Sequence, residues 1–177
     1  NKIQLCEELN IPKDAILILS VGELNANKNH KIVIEILPEL PNNVHYLMCG
    51  DGQLKEQHER LAKKLHVSDR LHFLGYRKDV IKIMKSCDIF VFPSKREGLS
   101  VALMEAMACG LPCVVSKIRG NEDLIENEKG GYCVDLENES FNIYINKILE
   151  LDLSRSMAAF NYNKVSNYSI KKVNLKM

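Results

Sequence analysis

The stretch Pro93–Gly110 contains residue types that could bind a phosphate and two hydroxyl groups. Glu97 and Glu105 lie eight positions apart, and Gly98 follows the first of them. A glycine lets the backbone approach a ligand closely, and the free amides at a helix start, together with the helix dipole, favour an anion. The predicted anion-binding amides are those of Gly98, Leu99, Ser100 and Val101.

The two glutamates suit hydroxyl groups better than the phosphate itself. Side chains on a helix lean toward its amino terminus, so Glu105 can reach back toward a ligand at the helix start. An ionised carboxylate accepts two hydrogen bonds, and an anion site flanked by two such acceptors fits a nucleoside diphosphate sugar. In the alternative interpretation Glu97 is a helix-start charge and Glu105 a solvated or capping residue, and the residues alone leave both open.

Two glycine-containing turns follow apolar segments. In Gly22–Lys28, a lysine just before a helix is unfavourable unless an anion is bound, so Lys28 is either a phosphate contact or a solvated lysine. Gly50-Asp51-Gly52 resembles the start of a dinucleotide fingerprint, but Lys55 stands where the third glycine belongs, which makes it weak evidence for NAD. We predict a tight turn there that permits close approach of a ligand, with Gly22, Gly50 and Gly52 as binding residues.

A third turn, Gly75–Asp79, follows the short apolar segment Leu71–Leu74. Its backbone at Tyr76 could recognise the edge of a base. Arg77 could stack on the base or remain in solvent.

Strand-sized apolar runs alternate with helix-sized amphipathic segments along the chain. Continuously apolar strands between helices indicate a parallel sheet covered on both faces, so we predict an α/β fold, a Rossmann-like doubly wound parallel sheet of about six strands. Ligands bind such sheets beyond the carboxyl ends of the strands, near the switch point. The predicted strands are Ala15–Val21, Val44–Cys49, Leu71–Leu74, Asp88–Phe92, Pro112–Ser116 and Gly131–Val134, and the helix after the fourth strand is predicted at Leu99–Ala108.

Three segments are predicted along the chain. Residues 1–14 read as an inter-domain linker with a short helix, and residues 15–153 as the nucleotide-sugar-binding domain. Residues 154–177 are polar and weakly periodic, which favours a surface helix or tail.

The composition excludes several classes of function. Lys+Arg 24 against Asp+Glu 23 give a net charge of +1, which does not support a nucleic-acid-binding or anionic-membrane surface. No apolar run reaches bilayer length, and no secretory pattern opens the chain. The six cysteines form no CxxC pair and are expected to be buried, reduced thiols of a cytosolic protein. The histidines show no paired ligand spacing, and we expect His58 and His66 at the surface.

Five runs in matching order resemble the carboxy-terminal, donor-binding domain of retaining GT-B glycosyltransferases of the group 1 type. They are VGELNANKNH, CGDG, FLGYRKDV, DIFVFPSKREGLSVALMEAMACGLPCV and IRGNEDLI. That group includes glycogen synthase, sucrose synthase and many bacterial capsule or exopolysaccharide transferases. The resemblance extends from about Ala15 to Val134 and is therefore more specific than any single motif.

The resemblance implies a role for each candidate residue. The paired-glutamate motif E-x7-E falls on Glu97, which would face the donor sugar, and on Glu105, which would bind the ribose hydroxyls. Lys28 matches the lysine that neutralises the leaving diphosphate, and the turn at Tyr76-Arg77 matches the base-binding segment. No Asp-x-Asp metal motif is present, so transfer is expected to need neither a metal nor another cofactor.

One position departs from the family pattern. Many members carry an arginine five residues before the lysine, and here that position is Glu23, whose carboxylate cannot take the arginine's role. Either Lys28 and the helix start suffice for the diphosphate, or another cation contributes. The candidates are Lys95, Arg96 and Arg119.

The resemblance also implies partners outside this sequence. Family members use an amino-terminal Rossmann-like domain for the acceptor, a glycan or a lipid-linked sugar, and we expect little or no transfer without it. The expected location is cytoplasmic, with peripheral membrane association through the other domain. The alternatives are a sugar-nucleotide 2-epimerase-like GT-B domain, a pyridoxal-phosphate-dependent phosphorylase, for which no supporting lysine context is found, and a non-enzymatic Rossmann-like nucleotide-binding module.

Overall fold

The computed structural model describes residues 1–150 and 153–166. Six parallel strands form one sheet in the order β3-β2-β1-β4-β5-β6, so the predicted doubly wound, Rossmann-like fold is confirmed. The strands are β1 (Ile16–Val21), β2 (Val44–Cys49), β3 (Leu71–Gly75), β4 (Ile89–Phe92), β5 (Cys113–Ser116) and β6 (Gly131–Val134).

Helices connect successive strands, and 3₁₀ turns at Leu37–Glu39 and Ser68–Arg70 precede β2 and β3. The helices are α1 (Lys2–Leu9), α2 (Lys31–Ile36), α3 (Lys55–Lys64), α4 (Val80–Met84), α5 (Val101–Ala108), α6 (Arg119–Glu122), α7 (Asn138–Glu150) and α8 (Ser154–Ser166). Among the described residues, no helix has the length and apolar character needed to cross a membrane.

The sheet is buried on both faces because its strands are apolar at successive positions. Tyr46 and Met48 of β2 point into a core shared with α2, α3 and α7, whereas Leu47 and Cys49 point into a second core shared with α1, α4 and α5. Alternate side chains of a strand face opposite sides, so two apolar layers require a continuous apolar run instead of an alternating one. This requirement explains why the apolar runs predicted the fold.

The strand order brings two distant loops together at the centre of the sheet. The chain moves outward from β1 to β3 and then returns to place β4 beside β1, with Ile18 paired to Ile89 and Leu19 to Phe90. The loops that follow β1 and β4 therefore leave the same edge at the switch point, where ligands bind in open α/β sheets.

Both end helices pack against the domain. Leu5 and Cys6 of α1, inside the segment predicted as a linker, are buried in the second core, and Lys2 lies 2.6 Å from Asp88. On α8, Met157 and Asn161 are fully buried, so the helix predicted after residue 153 has one face inside the protein. The remainder of that segment, residues 167–177, lies outside the described residues.

The surface prediction for His58 is wrong, whereas His66 is exposed. His58 is 3% exposed because it points from α3 toward α2, where its ring meets that of His30 edge-on at 6.1 Å between centroids. The charged residues around His58 in the sequence occupy the other faces of the helix. The six cysteines are free thiols, with Cys6, Cys49 and Cys113 buried.

Candidate functional site

An ion pair joins the two loops at the switch point. Lys28, after β1, and Glu97, after β4, lie with Nζ 2.6 Å from Oε1, and their side chains are only 19% and 13% exposed. The Lys28 ammonium also lies 4.6 Å from the centroid of the Phe92 ring, a cation–π contact at the end of β4. The structure thus brings together the two residues predicted to be catalytic.

Gly22 makes room for the Lys28 side chain. A Cβ on Gly22 would lie 2.9 Å from the Cε of Lys28, and the backbone φ of +152° is one that residues with a side chain rarely adopt. The glycine predicted as a ligand contact therefore also shapes the path of the lysine.

Two asparagines, neither of them predicted from the sequence, fix these loops. The Asn27 side chain donates to the Arg96 carbonyl (2.9 Å) and accepts from the Arg96 amide (3.1 Å), while the Lys95 amide donates to the Asn27 carbonyl (2.8 Å). The Asn25 Oδ1 accepts from the amides of Asn27 and Lys28, each at 3.0 Å. The Asn-Ala-Asn sequence was the available signal, because asparagine side chains often close turns of this kind.

The start of α5 presents its backbone to open space. Ser100 caps the helix by accepting from the Leu103 amide at 3.3 Å, so the helix begins at Val101 and not at Leu99 as predicted. Leu99 and Val101 are 56% and 63% exposed, and a Cβ on Gly98 would meet nothing within 4 Å. Glu105 lies in the second turn of α5 and is partly exposed.

Buried residues of α6 and of the end of β5 support the Glu97–Gly98 loop. A Cβ on Gly120 would lie 2.0 Å from the Gly98 carbonyl oxygen and 2.9 Å from that of Glu97, so α6 and the loop are in backbone contact. The fully buried Asn121 donates to the Ser116 carbonyl at 2.9 Å. The Ser116 hydroxyl in turn donates to the carbonyl of Ser94 at 2.5 Å.

A cavity of about 390 Å³ lies on the β2–β3 side of the switch point, and Gly22, which makes room for the Lys28 side chain, is among its lining residues. It lies beyond the carboxyl ends of β1, β2 and β3. Its lining residues are Val21, Gly22, Glu23, Cys49, Gly50, Asp51, Tyr76, Arg77 and Val80.

Gly50 and Gly52 allow two loops to pack closely, more than they allow a ligand to approach. A Cβ on Gly50 would lie 2.0 Å from the Gly22 carbonyl oxygen, and one on Gly52 would lie 2.6 Å from that of Leu24. The predicted tight turn is present, but its close neighbour is the backbone of the β1–α2 loop. Gly50 still lines the cavity, whereas Gly52 is absent from its lining.

Tyr76 and Arg77 both lie at the rim of the cavity, but Tyr76 is exposed to solvent whereas Arg77 is bound by carboxylates. Tyr76 is 84% exposed. Arg77 donates from Nε and Nη2 to the Asp79 carboxylate at 2.8 and 2.9 Å, and from Nη1 to Glu8 of α1. These bonds raise the pKa of Arg77 and lower the pKa of Asp79 to about 2. Two carboxylates thus bind the edge of the guanidinium, and the Arg77 side chain is 24% exposed.

Glu23 also lines the cavity, and its exposed carboxylate accepts from the Asn25 side chain at 2.9 Å. The position that carries arginine in many proteins of the resembled group therefore adds negative charge to the cavity rim.

Comparison with known proteins shows which sequences and folds this chain resembles. The sequence matches the family model of glycosyl transferases group 1 over residues 1–165. It is 31% identical over 176 residues to the UDP-Gal:alpha-D-GlcNAc-diphosphoundecaprenol alpha-1,3-galactosyltransferase of Escherichia coli, covering 94% of this chain and 45% of that protein. It is 32% identical over 124 residues to a diphospho-undecaprenol 4-alpha-N-acetylgalactosaminyltransferase of Campylobacter jejuni, covering 70% of this chain and 34% of that protein.

Solved structures share the fold. The crystal structure of Anabaena HepE in complex with UDP and glucose has a TM-score of 0.90 at 24% identity, covering 98% of this chain and 50% of that one. WaaG, a glycosyltransferase involved in lipopolysaccharide biosynthesis, has a TM-score of 0.85 at 24% identity, covering 99% and 50%. At this identity the likeness establishes the fold alone. The chain spans half or less of the length of each of these proteins.

Proposed function

The chain belongs to the glycosyl transferases group 1 family, and on that premise we propose that it is the donor-binding domain of a retaining glycosyltransferase. Its donor is a nucleoside diphosphate sugar, with UDP-hexose as the choice that family analogy favours. The observation that carries the proposal is the Lys28–Glu97 ion pair at the switch point, between the open start of α5 and the 390 Å³ cavity. The names of the E. coli relative, which include UDP-Gal, and of the UDP-bound Anabaena structure support the choice of UDP.

We assign each group of site residues to the part of the donor that it would bind. The amides of Gly98–Val101 and the Lys28 ammonium bind the diphosphate, Glu97 faces the sugar, and Glu105 accepts from the ribose hydroxyls. The base occupies the cavity near Tyr76. Since Arg77 is held by Glu8 and Asp79, its contribution is to fix this rim of the cavity.

The proposed chemistry depends on charge that develops as the glycosidic bond breaks. Negative charge grows on the departing diphosphate, and donors already directed at that position stabilise the transition state without reorganisation. Contact with the diphosphate draws the Lys28 ammonium away from Glu97, whose freed carboxylate then accepts from a sugar hydroxyl. Transfer proceeds with retention and without a metal ion or other cofactor.

The acceptor is proposed to be a glycan or lipid-linked sugar in bacterial surface polysaccharide synthesis. The names of the E. coli and C. jejuni relatives, which include diphospho-undecaprenol, support this class. The acceptor would bind to an amino-terminal Rossmann-like domain, so transfer requires that domain as well as this one. We place the complete enzyme in the cytoplasm, with peripheral membrane association through the acceptor domain.

Calorimetric titration of the 177-residue chain tests donor binding. UDP, GDP, ADP and dTDP are compared, with and without magnesium, and we expect one of them, UDP by analogy, to bind independently of magnesium. Glu105→Ala should weaken its binding about tenfold, because a hydrogen bond to a charged group is lost. The control Glu56→Ala removes an exposed carboxylate of α3 and should change nothing.

A 2′-deoxynucleoside diphosphate sharpens this test. The wild-type chain should bind 2′-deoxy-UDP more weakly than UDP, whereas Glu105→Ala should bind both equally. A folded chain that binds none of the nucleotides would overturn the proposal.

A further inference from the structure

A diphosphate entering the proposed donor site meets more negative than positive charge. Glu23 and Asp51 line the cavity, and Glu97 neutralises Lys28. Arg77, a second cation at the cavity, is already bound by two carboxylates. Glu23 and Asp51 are exposed, so solvent weakens their repulsion of the diphosphate, but a further cation near the start of α5 would still favour its binding.

Four exposed cations lie around this position: Lys95, Arg96 and Lys117 on loops, and Arg119 at the first residue of α6. Within the described residues, none of them has a carboxylate oxygen within 4.0 Å. Lys95 lines a different cavity, of about 510 Å³, between α2 and α3. Arg96 is tied through both its amide and its carbonyl to Asn27 of the β1–α2 loop.

Arg119 begins α6 and precedes a residue that packs on the anion-binding turn. Its neighbour Gly120 is in contact with the carbonyls of Glu97 and Gly98, where no side chain fits. Asn121, one residue further, is fully buried and bonded to Ser116. The backbone on the carboxyl side of Arg119 is thus fixed against the turn, while its side chain remains exposed and without an ion-pair partner among residues 1–150 and 153–166.

We propose that Arg119 binds the diphosphate of the donor from the α6 side. It would add positive charge to a site in which Glu97 already neutralises Lys28. The inference rests on the proposed function. A guanidinium can donate two parallel hydrogen bonds to a phosphate, and fixation of the neighbouring backbone reduces the conformational freedom lost on binding.

The test compares nucleoside diphosphates with nucleosides. UDP, GDP, ADP and dTDP, each beside its own nucleoside, are titrated into wild type and Arg119→Gln. Affinity for the diphosphate that the wild type prefers should fall about tenfold in the variant, and affinity for its nucleoside should not change. Arg119→Lys should keep part of the affinity, because it retains the charge but not the bidentate geometry.

Lys117→Gln and Arg96→Gln are matched controls, since each removes one positive charge from an exposed residue nearby. Both should bind the diphosphate within twofold of the wild type. Equal losses in Lys117→Gln and Arg119→Gln would mean a general field effect, and a loss confined to Arg96→Gln would assign the role to that arginine. Either result, or unchanged binding in Arg119→Gln, overturns the inference, whereas a wild type that binds no nucleotide overturns the proposed function itself.

Discussion

At the scale of the residue, the Lys28–Glu97 pair is the most unusual feature of the site. Few lysines and glutamates are as well shielded from solvent as these, and such residues persist when they are paired. Gly22 lies beside the aliphatic carbons of Lys28 and the Phe92 ring lies beside its ammonium, so loss of either charge leaves the other partly buried and unpaired.

A double-mutant cycle should detect this coupling. Lys28→Met and Glu97→Gln should each lower the free energy of unfolding of the ligand-free chain, and the double variant should recover part of the loss. We expect a coupling energy of about 1–2 kcal/mol from urea denaturation. The exposed pair Arg60–Glu56, 3.5 Å apart, is the control and should show less than about 0.5 kcal/mol. Equal couplings in the two pairs would contradict the special environment of Lys28.

At the scale of the element, the site consists of loops that are held by other loops. Gly98 and Gly120 lie on opposite sides of one backbone contact and have different surroundings. A Cβ on Gly98 meets nothing within 4 Å, whereas one on Gly120 lies 2.0 Å from a carbonyl oxygen. One glycine is therefore needed for packing, and the other is free to serve a ligand.

Alanine at each of these two positions should separate folding from binding. Gly120→Ala should lower the free energy of unfolding by about 1–3 kcal/mol, because the backbone must move to admit the methyl group. Gly98→Ala should stay within about 0.5 kcal/mol of the wild type and weaken nucleoside diphosphate binding about tenfold, since its methyl group occupies the open face. The measurements are urea denaturation and calorimetry, and a stable Gly98→Ala protein with unchanged binding would exclude ligand contact at that turn.

At the scale of the whole molecule, burial of the sheet on both faces places histidines in neutral form inside the protein. His30 is 1% exposed, bonds to the Tyr46 hydroxyl at 2.9 Å, and burial lowers its pKa to about 3. Burial also lowers the pKa of His72 to about 4 and the pKa values of His45 and His58. The unfolded chain, with ordinary histidines near 6.5, binds more protons than the folded chain below that pH.

Stability should therefore be complete above about pH 6.5 and decline as the pH falls toward the folded pKa values. From His30 alone we expect a loss of about 2 kcal/mol between pH 6.5 and 5. Urea denaturation at pH values from 7.5 to 5 measures this change in the free energy of unfolding. The whole range lies above the pH at which Asp79 titrates. His30→Gln should reduce the slope, and His66→Asn, at an exposed position, should not. A flat pH profile in the wild type would contradict the burial of neutral histidines.

The sequence by itself determined the fold class and most of the candidate site. Continuous apolar runs such as β1 and β2 require burial on both faces, and this requirement is local, so it can be inferred without coordinates. The family resemblance, confirmed by the match over residues 1–165, named Lys28, Glu97 and Glu105. The same local information could not place His58, because charged neighbours on a helix do not reveal which face meets another helix.

Only the tertiary structure decided how these residues meet. Lys28 and Glu97 are 69 positions apart, and their contact depends on β4 lying beside β1, which no local pattern specifies. The same holds for the packing role of Gly50 and Gly52, for the engagement of Arg77 with Glu8, and for the contact of Gly120 with Gly98. Side-chain and glycine chemistry can be inferred from residue type, but a partner across the sheet is set by strand order, and strand order follows from packing of the whole chain.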